Sequence, residues 1–314
     1  MARVVIIGCG LIGRAWTISF LRGGHDVVIW DPEPAAMKNL RDSLAATFDD
    51  LRDHDLLSEP TELLLSRLTL GETLEQAITD ARHVQENTPE VLDSKRAIFA
   101  RLEAAAGPDT VLASSTSGLL PSAIFEGLET ADRCLIAHPI NPPFLVPAVE
   151  IVPGPGTRSD VVQRTADLLS SLGQAPIVMK KEVDGFLMNR LQGALLNEAF
   201  RLVAEGYASA EDVDIGIRDG LALRWAFMGP FETIDLNAPG GVRDYVDRYA
   251  GMYRQITEGA APVPDWTSVV LDEVETDRRA CLKIEDLPER QAWRDRRLMA
   301  LVEHKNKVNR GDGA

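Results

Sequence analysis

Three groups of residues have the types and spacing that chemistry requires. The first is Gly8-Cys9-Gly10-Leu11-Ile12-Gly13, directly behind the apolar run Val4-Val5-Ile6-Ile7 and directly before a helix-like stretch, Arg14 to Leu21. In a strand-turn-helix unit, Gly8 permits the tight turn, Gly10 lets backbone approach a pyrophosphate, and Gly13 lets the helix pack on the strand. Leu11 and Ile12 open the helix, whose N-terminus then faces the phosphates. A second apolar run, Asp26 to Trp30, ends in Asp31, near the spacing of roughly 20 residues at which a carboxylate meets the adenosine ribose. Asp31, with Glu33 close behind it, repels a ribose phosphate, so the pattern points to NAD rather than NADP. Glu86, at the head of Glu86-Asn87-Thr88-Pro89 behind a short strand, is assigned to the same cofactor site. The plainer alternative is a glycine-rich turn of another α/β protein, with Asp31 capping a helix begun by Pro32.

The elements that must position these residues alternate between strand and helix through the first 180 or so positions. Strands are expected at Arg82 to Gln85, Thr110 to Ser114, Cys134 to Ala137, Ala148 to Val152 and Pro176 to Met179. A charged helical stretch should run from Ala35 to Leu68, with further helices at Val91 to Ala105 and Asp160 to Leu172. This is the pattern of a doubly wound, Rossmann-type sheet. From Val183 onward only helical periodicity remains, so an all-α domain, 184–314, is expected to follow a dinucleotide-binding domain, 1–183. Its first helix, Phe186 to Val203, carries more apolar surface than a small helical domain needs, which points to a homodimer; a fully buried helix within one chain is the alternative.

A chain of 314 residues is long enough for two domains, and no apolar run approaches the ~20 residues that span a membrane. The Met-Ala-Arg start leads straight into a strand, and the three cysteines, Cys9, Cys134 and Cys281, are too scattered for a disulfide framework or a zinc site. A reducing, cytoplasmic setting with no metal is expected. The formal charge of -15 argues against nucleic acid or an anionic membrane as partner.

In a doubly wound sheet the ligand crevice lies outside the carboxyl ends of the strands, which singles out the other two groups. One comprises the segments Ser114-Ser115-Thr116-Ser117-Gly118 and His138-Pro139-Ile140-Asn141-Pro142-Pro143, just after strands. The other is Asn189, in the run Val183-Asp184-Gly185-Phe186-Leu187-Met188-Asn189-Arg190-Leu191. These segments, with Glu150, resemble the L-3-hydroxyacyl-CoA dehydrogenase superfamily, and within it the lambda-crystallin and L-gulonate 3-dehydrogenase branch. The resemblance covers residues 3 to 255 or so. It implies an NAD-dependent dehydrogenase of small hydroxy acids, with His138 as acid/base, Glu150 as its partner, Ser117 as a ligand of the substrate hydroxyl and Asn189 as a second polar contact. By the same resemblance Asn141 is expected to brace the site and contact substrate.

Oxidising a secondary alcohol needs a base within reach of the hydroxyl, and histidine, with an ordinary pKa of about 6.5, suits that task. Two features turn the substrate away from a CoA thioester. The segment Arg41 to Leu70 has three arginines, no lysine and seven acids, a surface that repels CoA phosphates. The run Gly220 to Pro230 resembles the branch acting on free hydroxy acids, and its Arg224 is suited to a bidentate carboxylate contact. A structural ion pair is the other reading of Arg224. Trp225, Phe227 and Phe231 read either as core or as an aromatic cage for a quaternary ammonium, which keeps L-carnitine, beside an L-3-hydroxyacyl-CoA, as an alternative substrate. A crystallin-like NAD-binding protein without catalysis is a further alternative.

The role of Asp31 has a direct test. Asp31→Ala is expected to relax the preference for NAD toward NADP, read as the ratio of kcat/KM for the two cofactors. An unmutated protein equally active with both contradicts that role.

Overall fold

Eight strands make one sheet: β1 (Arg3–Ile7), β2 (Asp26–Trp30), β3 (Leu68–Leu70), β4 (His83–Glu86), β5 (Val111–Ser114), β6 (Cys134–Pro139), β7 (Ala148–Pro153) and β8 (Ala175–Val178). Their order is β3-β2-β1-β4-β5-β6-β7-β8. The computed structural model describes residues 2–260, 262–267 and 269–311. Successive side chains of a strand point to opposite faces, and β1 divides accordingly. Val4 and Ile6 enter one hydrophobic core with Trp16, Phe20 and Leu169, while Val5 and Ile7 enter the other with Phe99 and Leu102. Burial on both faces explains why these strands read as continuous apolar runs.

The order reverses between β1 and β4, and this switch point opens the crevice where such sheets bind ligands. Ile7 stands opposite Glu86, and Glu86 opposite Ser114, so β1, β4 and β5 end level with one another. The polar segments that follow them therefore start from the same rim.

β1 to β6 are covered by parallel pairing, but β7 runs antiparallel to β6 and parallel to β8. The hairpin arises because residues 140–147 are too short a connection for a parallel crossover. The expected charged helix from Ala35 to Leu68 is broken into a 3-10 turn (Pro34–Met37) and two helices (Leu40–Asp53 and Thr61–Ser66), followed by the small edge strand β3.

The chain divides into two compact units, 1–189 with 291–314, and 190–290. The expected helical domain 184–314 is therefore not one body. Within the helix Leu287–Gly311, Met299 is buried in the first unit's core, with Leu298 and Val302 packed against it. That insertion ties the end of the chain to the sheet. The second unit is entirely helical among its described residues, and no described helix is long and apolar enough to cross a membrane.

Candidate active site

The glycine turn is built as its sequence requires. Gly8 has φ +95°, and a Cβ there would stand 2.8 Å from the Asn87 carbonyl oxygen; one on Gly13 would meet the Gly8 carbonyl oxygen at 1.9 Å. Beside Gly10, by contrast, nothing lies within 4 Å of where a Cβ would sit, leaving open space at the start of the helix Leu11–Arg22. Leu11 is 70% exposed there, and Ile12 packs against the core. The Asp31 carboxylate is already oriented, accepting from the Cys9 N–H at 2.6 Å and the Glu33 N–H at 2.8 Å. An open glycine edge, a helix N-terminus and a fixed carboxylate just past the second strand are the parts that NAD needs. Burial, then the neighbouring Asp31 charge, pushes the Cys9 thiol up to about 12, and burial does the same to Cys134. Neither is a nucleophile.

Glu86 does not belong to that set. It is the last residue of β4, fully buried, and both its oxygens are engaged. Lys95 Nζ lies 3.0 and 3.1 Å from them, the Thr88 N–H and hydroxyl each donate to Oε1 at 2.5 Å, and the Ser114 hydroxyl donates to Oε2 at 2.5 Å. The expectation that Glu86 contacts cofactor is corrected by this burial: the strand extends one residue further than its apolar run, carrying the carboxylate inside.

His138 and Glu150 are cross-strand partners in the β6–β7 pair. His138 Nδ1 lies 2.6 Å from Glu150 Oε2, and both side chains are buried. The other carboxylate oxygen accepts from the Leu187 N–H at 2.6 Å and the Met188 N–H at 2.8 Å. Those two N–H groups converge because Gly185 and Phe186 adopt φ +74° and +50°, a turn that aims successive amides at one acceptor. The left-handed conformation costs a non-glycine residue about 1–2 kcal/mol. Phe186 is held in it by complete burial and by packing on the His138 ring, centroid to centroid 5.6 Å.

Burial by itself would raise the Glu150 carboxyl. The hydrogen bonds from His138, Met188 and Leu187 outweigh it and hold the carboxyl below the ordinary carboxylate range. Glu150 is thus an anion whenever His138 is of use, and it fixes the imidazole with Nδ1–H toward itself. That leaves Nε2 without a hydrogen bond among the described residues.

The same turn starts the helix Met188–Ala204, whose second residue is Asn189. Asn189 Nδ2 donates to the Ser117 carbonyl at 2.6 Å, so Ser117, Asn189, Glu150 and His138 form one connected assembly within the first unit. The Ser117 hydroxyl is exposed and makes no hydrogen bond among the described residues. Asn141 is bonded to none of these groups, and its Oδ1 is buried without a partner. Arg224 lies on the other unit, exposed, with no carboxylate in ion-pairing distance among the described residues. No cluster of three or more His, Cys, Asp or Glu side chains among the described residues could hold a metal ion.

Two charged residues of this region were not foreseen. Lys95 lies on the stripe Lys95, Ile98, Phe99, Leu102, which is buried throughout; a lysine at helical spacing among apolar residues was the available signal for a buried ion pair. Glu90 accepts from the loop that carries Ser117. It follows a strand's carboxyl end, the same criterion that selected Ser117.

The dinucleotide turn, the carboxylate of Asp31 beside it and the buried histidine–carboxylate pair define an NAD-dependent dehydrogenase acting on CH–OH groups. The chain belongs to the 3-hydroxyacyl-CoA dehydrogenase family: residues 3–183 match its NAD binding domain and residues 185–279 its C-terminal domain. It is 41% identical to the lambda-crystallin homolog of Rattus norvegicus over 311 residues, 97% of either chain. It is 37% identical to an L-carnitine dehydrogenase of Pseudomonas sp over 298 residues, 95% of this chain and 92% of the other. Among solved structures, 5-formyl-3-hydroxy-2-methylpyridine 4-carboxylic acid 5-dehydrogenase, an NAD+-dependent dismutase, superposes with a TM-score of 0.82 at 27% identity, covering 96% of this chain and 97% of that one.

The depressed Glu150 carboxyl sets a sign that can be measured. Its contribution to stability is complete above the ordinary value of about 4.3 and is lost as pH falls through the lower folded value. The carboxyl signal found in wild type and missing from Glu150→Gln, followed by infrared titration, is expected to have its midpoint below about 4.3. A midpoint above that would mean that burial wins over the three hydrogen bonds.

Proposed function

We propose that this protein is a cytoplasmic homodimer that oxidises the 3-hydroxyl of a small, free L-3-hydroxy acid with NAD, in the manner of an L-gulonate 3-dehydrogenase. The buried His138–Glu150 pair carries the reading, because its geometry leaves one ring nitrogen available and balances the charge that nitrogen would gain. When bound, NAD supplies the acceptor for the hydride leaving the carbinol carbon. His138 Nε2 takes the hydroxyl proton as the carbonyl forms, and Glu150 stabilises the resulting imidazolium. The Ser117 hydroxyl holds the reacting oxygen. Asn189 keeps one amide hydrogen for the same oxygen, and the unpaired acceptor of Asn141 suits a further hydroxyl of the substrate.

Electrostatics favours a free acid over a CoA thioester. Each arginine of the acidic segment Arg41 to Leu70 is already engaged. Arg41 donates to the Leu65 and Leu68 carbonyls at 2.9 and 2.6 Å, Arg52 lies 2.9 Å from Asp49, and Arg67 is bidentate to Glu59. That leaves little cation for the phosphates of CoA. In this reading Arg224, without a carboxylate of its own, takes the substrate's carboxylate through its planar fork. Carnitine is the second reading, favoured by the exposure of Trp225, Phe227 and Phe231 near Arg224 in sequence, at 40%, 59% and 80%.

The homodimer rests on a missing core. Within residues 190–290, Val203, Ala210, Thr233, Ala238 and Val270 are the only buried residues among those described. Leu191, Leu223, Phe231 and Leu236 are all more than half exposed. A helical unit of this size gains too little from so few buried groups to offset its conformational entropy, and a second copy of the same surface is the simplest cover.

Two measurements test these claims. NADH production with L-gulonate, L-3-hydroxybutyrate, L-carnitine and L-3-hydroxybutyryl-CoA should favour a free acid, and His138→Ala should lower its turnover by about 100- to 10,000-fold with NADH binding retained. Preference for the CoA ester overturns the substrate, and wild-type-like turnover by His138→Ala overturns the base. Light scattering after size exclusion should give the mass of two chains; a monomer at micromolar concentration overturns the assembly.

A further inference from the structure

Beside the tip of the hairpin that joins β6 to β7, the first unit holds a cavity of about 960 Å³, a size within the range of small-molecule sites. Its walls come from the end of the helix Leu11–Arg22, the end of the helix Ser159–Ser171, the hairpin tip and the docked helix Leu287–Gly311. The glycine turn, Ser117, His138, Glu150 and Asn189 take no part in it.

One wall carries a charge that no acid balances. Arg22 is the last residue of its helix, where a cation suits the dipole. Its guanidinium bridges two loops: Nη1 donates to the Phe144 carbonyl at 3.0 Å and Nη2 to the Leu56 carbonyl at 2.9 Å. Both acceptors are neutral. No carboxylate lies in ion-pairing distance of Arg22 among the described residues, and burial holds its guanidinium below the ordinary arginine range. The Nε–H and a second hydrogen on each terminal nitrogen remain uncommitted among the described residues. A half-buried cation in that state is unfavourable until an anion joins it. Held by carbonyls from two separate loops, the planar fork is also fixed in advance of any ligand.

The rest of the wall is largely apolar. Phe144, Leu172, Leu298 and Val302 line the cavity while packing on the first core, and Leu301 lines it at 39% exposure. Gln174 steadies the hairpin tip, its Nε2 donating to the Pro143 carbonyl at 3.0 Å. Asp55 and Glu59 also border the cavity, which opposes a ligand with more than one negative charge. A fixed guanidinium facing hydrocarbon suits a single carboxylate on a short apolar chain.

We propose that this cavity is a second ligand site, which binds a short-chain monocarboxylate with its carboxylate on the Arg22 guanidinium and its chain against Leu172, Leu298 and Val302. It shares no side chain with the His138 assembly, so it stands whichever acid is oxidised.

The test titrates the full-length protein, without NAD, by calorimetry with sodium hexanoate, taking 1-hexanol and sodium acetate as controls. Hexanoate is expected to bind about 10- to 100-fold more tightly than hexanol, the difference made by hydrogen bonds to a charged group. It should exceed acetate, which lacks the chain, by about tenfold or more. Amide hydrogen exchange should slow with hexanoate at residues 144–146 and 171–174 and stay unchanged at 115–118. Arg22→Ala should weaken hexanoate by about 10- to 100-fold. Because Arg22 also holds two loops together, Leu301→Trp serves as a variant that fills the cavity and keeps the guanidinium, with an expected loss of about tenfold.

No binding of hexanoate at millimolar concentration overturns the site, and hexanol or acetate binding as tightly overturns the ligand class. Slowed exchange confined to residues 115–118 and 187–189 assigns the acid to the proposed active site and overturns the second one. Unchanged affinity in Arg22→Ala or Leu301→Trp does the same, while the comparison of hexanoate with hexanol decides the role of charge on the unmutated protein.

Discussion

The site depends on one buried carboxylate whose two oxygens serve different parts of the chain. Glu150 gives one oxygen to His138 and the other to the Leu187 and Met188 amides. A carboxylate taken out of water without partners costs several kcal/mol, so its burial obliges the surrounding chain to supply donors. The cross-strand register supplies the first, and the turn through Gly185 and Phe186 supplies the others. Because that turn also begins the helix bearing Asn189, the carboxylate that orients the imidazole fixes the origin of Asn189 as well. A buried ion pair is poor evidence for stability, but here it links β6, β7 and a helix start in a single arrangement.

A second buried pair, Glu86 with Lys95, stands at the end of β4 and works by the same rule. Its carboxylate collects donors from Thr88, Ser114 and Lys95, which fastens the segment behind β4 to β5 and to the helix Leu92–Ala105. The difference between the pairs lies in what remains free. Glu86 and Lys95 use their groups on each other and on the backbone around them, whereas His138 retains a ring nitrogen. The first is a support and the second has capacity for proton transfer.

What could be read from the sequence was local. The glycine turn, the strand ending at Asp31 and the segments holding Ser117 and His138 are each set by residues within a few positions of one another, and their apolar runs mark strands buried on both faces. The antiparallel course of β7 was legible in principle, since eight intervening residues cannot make a parallel crossover. The edge strand β3, only Leu68–Leu70, is too short to leave a period. The docking of residues 291–311 on the first unit depends on Met299 and two neighbours in a highly charged helix, a long-range contact with no local signature. Glu86 and Glu90 show the same limit at the site: both are acids behind one strand, and only the register of β4 decides which of them is drawn inside.

The charge balance of the dyad bears on the direction in which the proposed reaction is helped. With the imidazole neutral, the buried pair carries one net negative charge, stabilised by two amide dipoles and one N–H donor. When a proton arrives on Nε2, the pair becomes an ion pair with no net charge. Taking the proton therefore relieves an unbalanced charge in a setting where water cannot do so, and the effective interaction at 2.6 Å is far stronger than between exposed groups. In the proposed oxidation the hydroxyl proton goes to this nitrogen, so the dyad ends the step without net charge. In the reverse direction the proton leaves the same ion pair, so the hydrogen bonds around Glu150, and not the histidine alone, form the setting in which it moves either way.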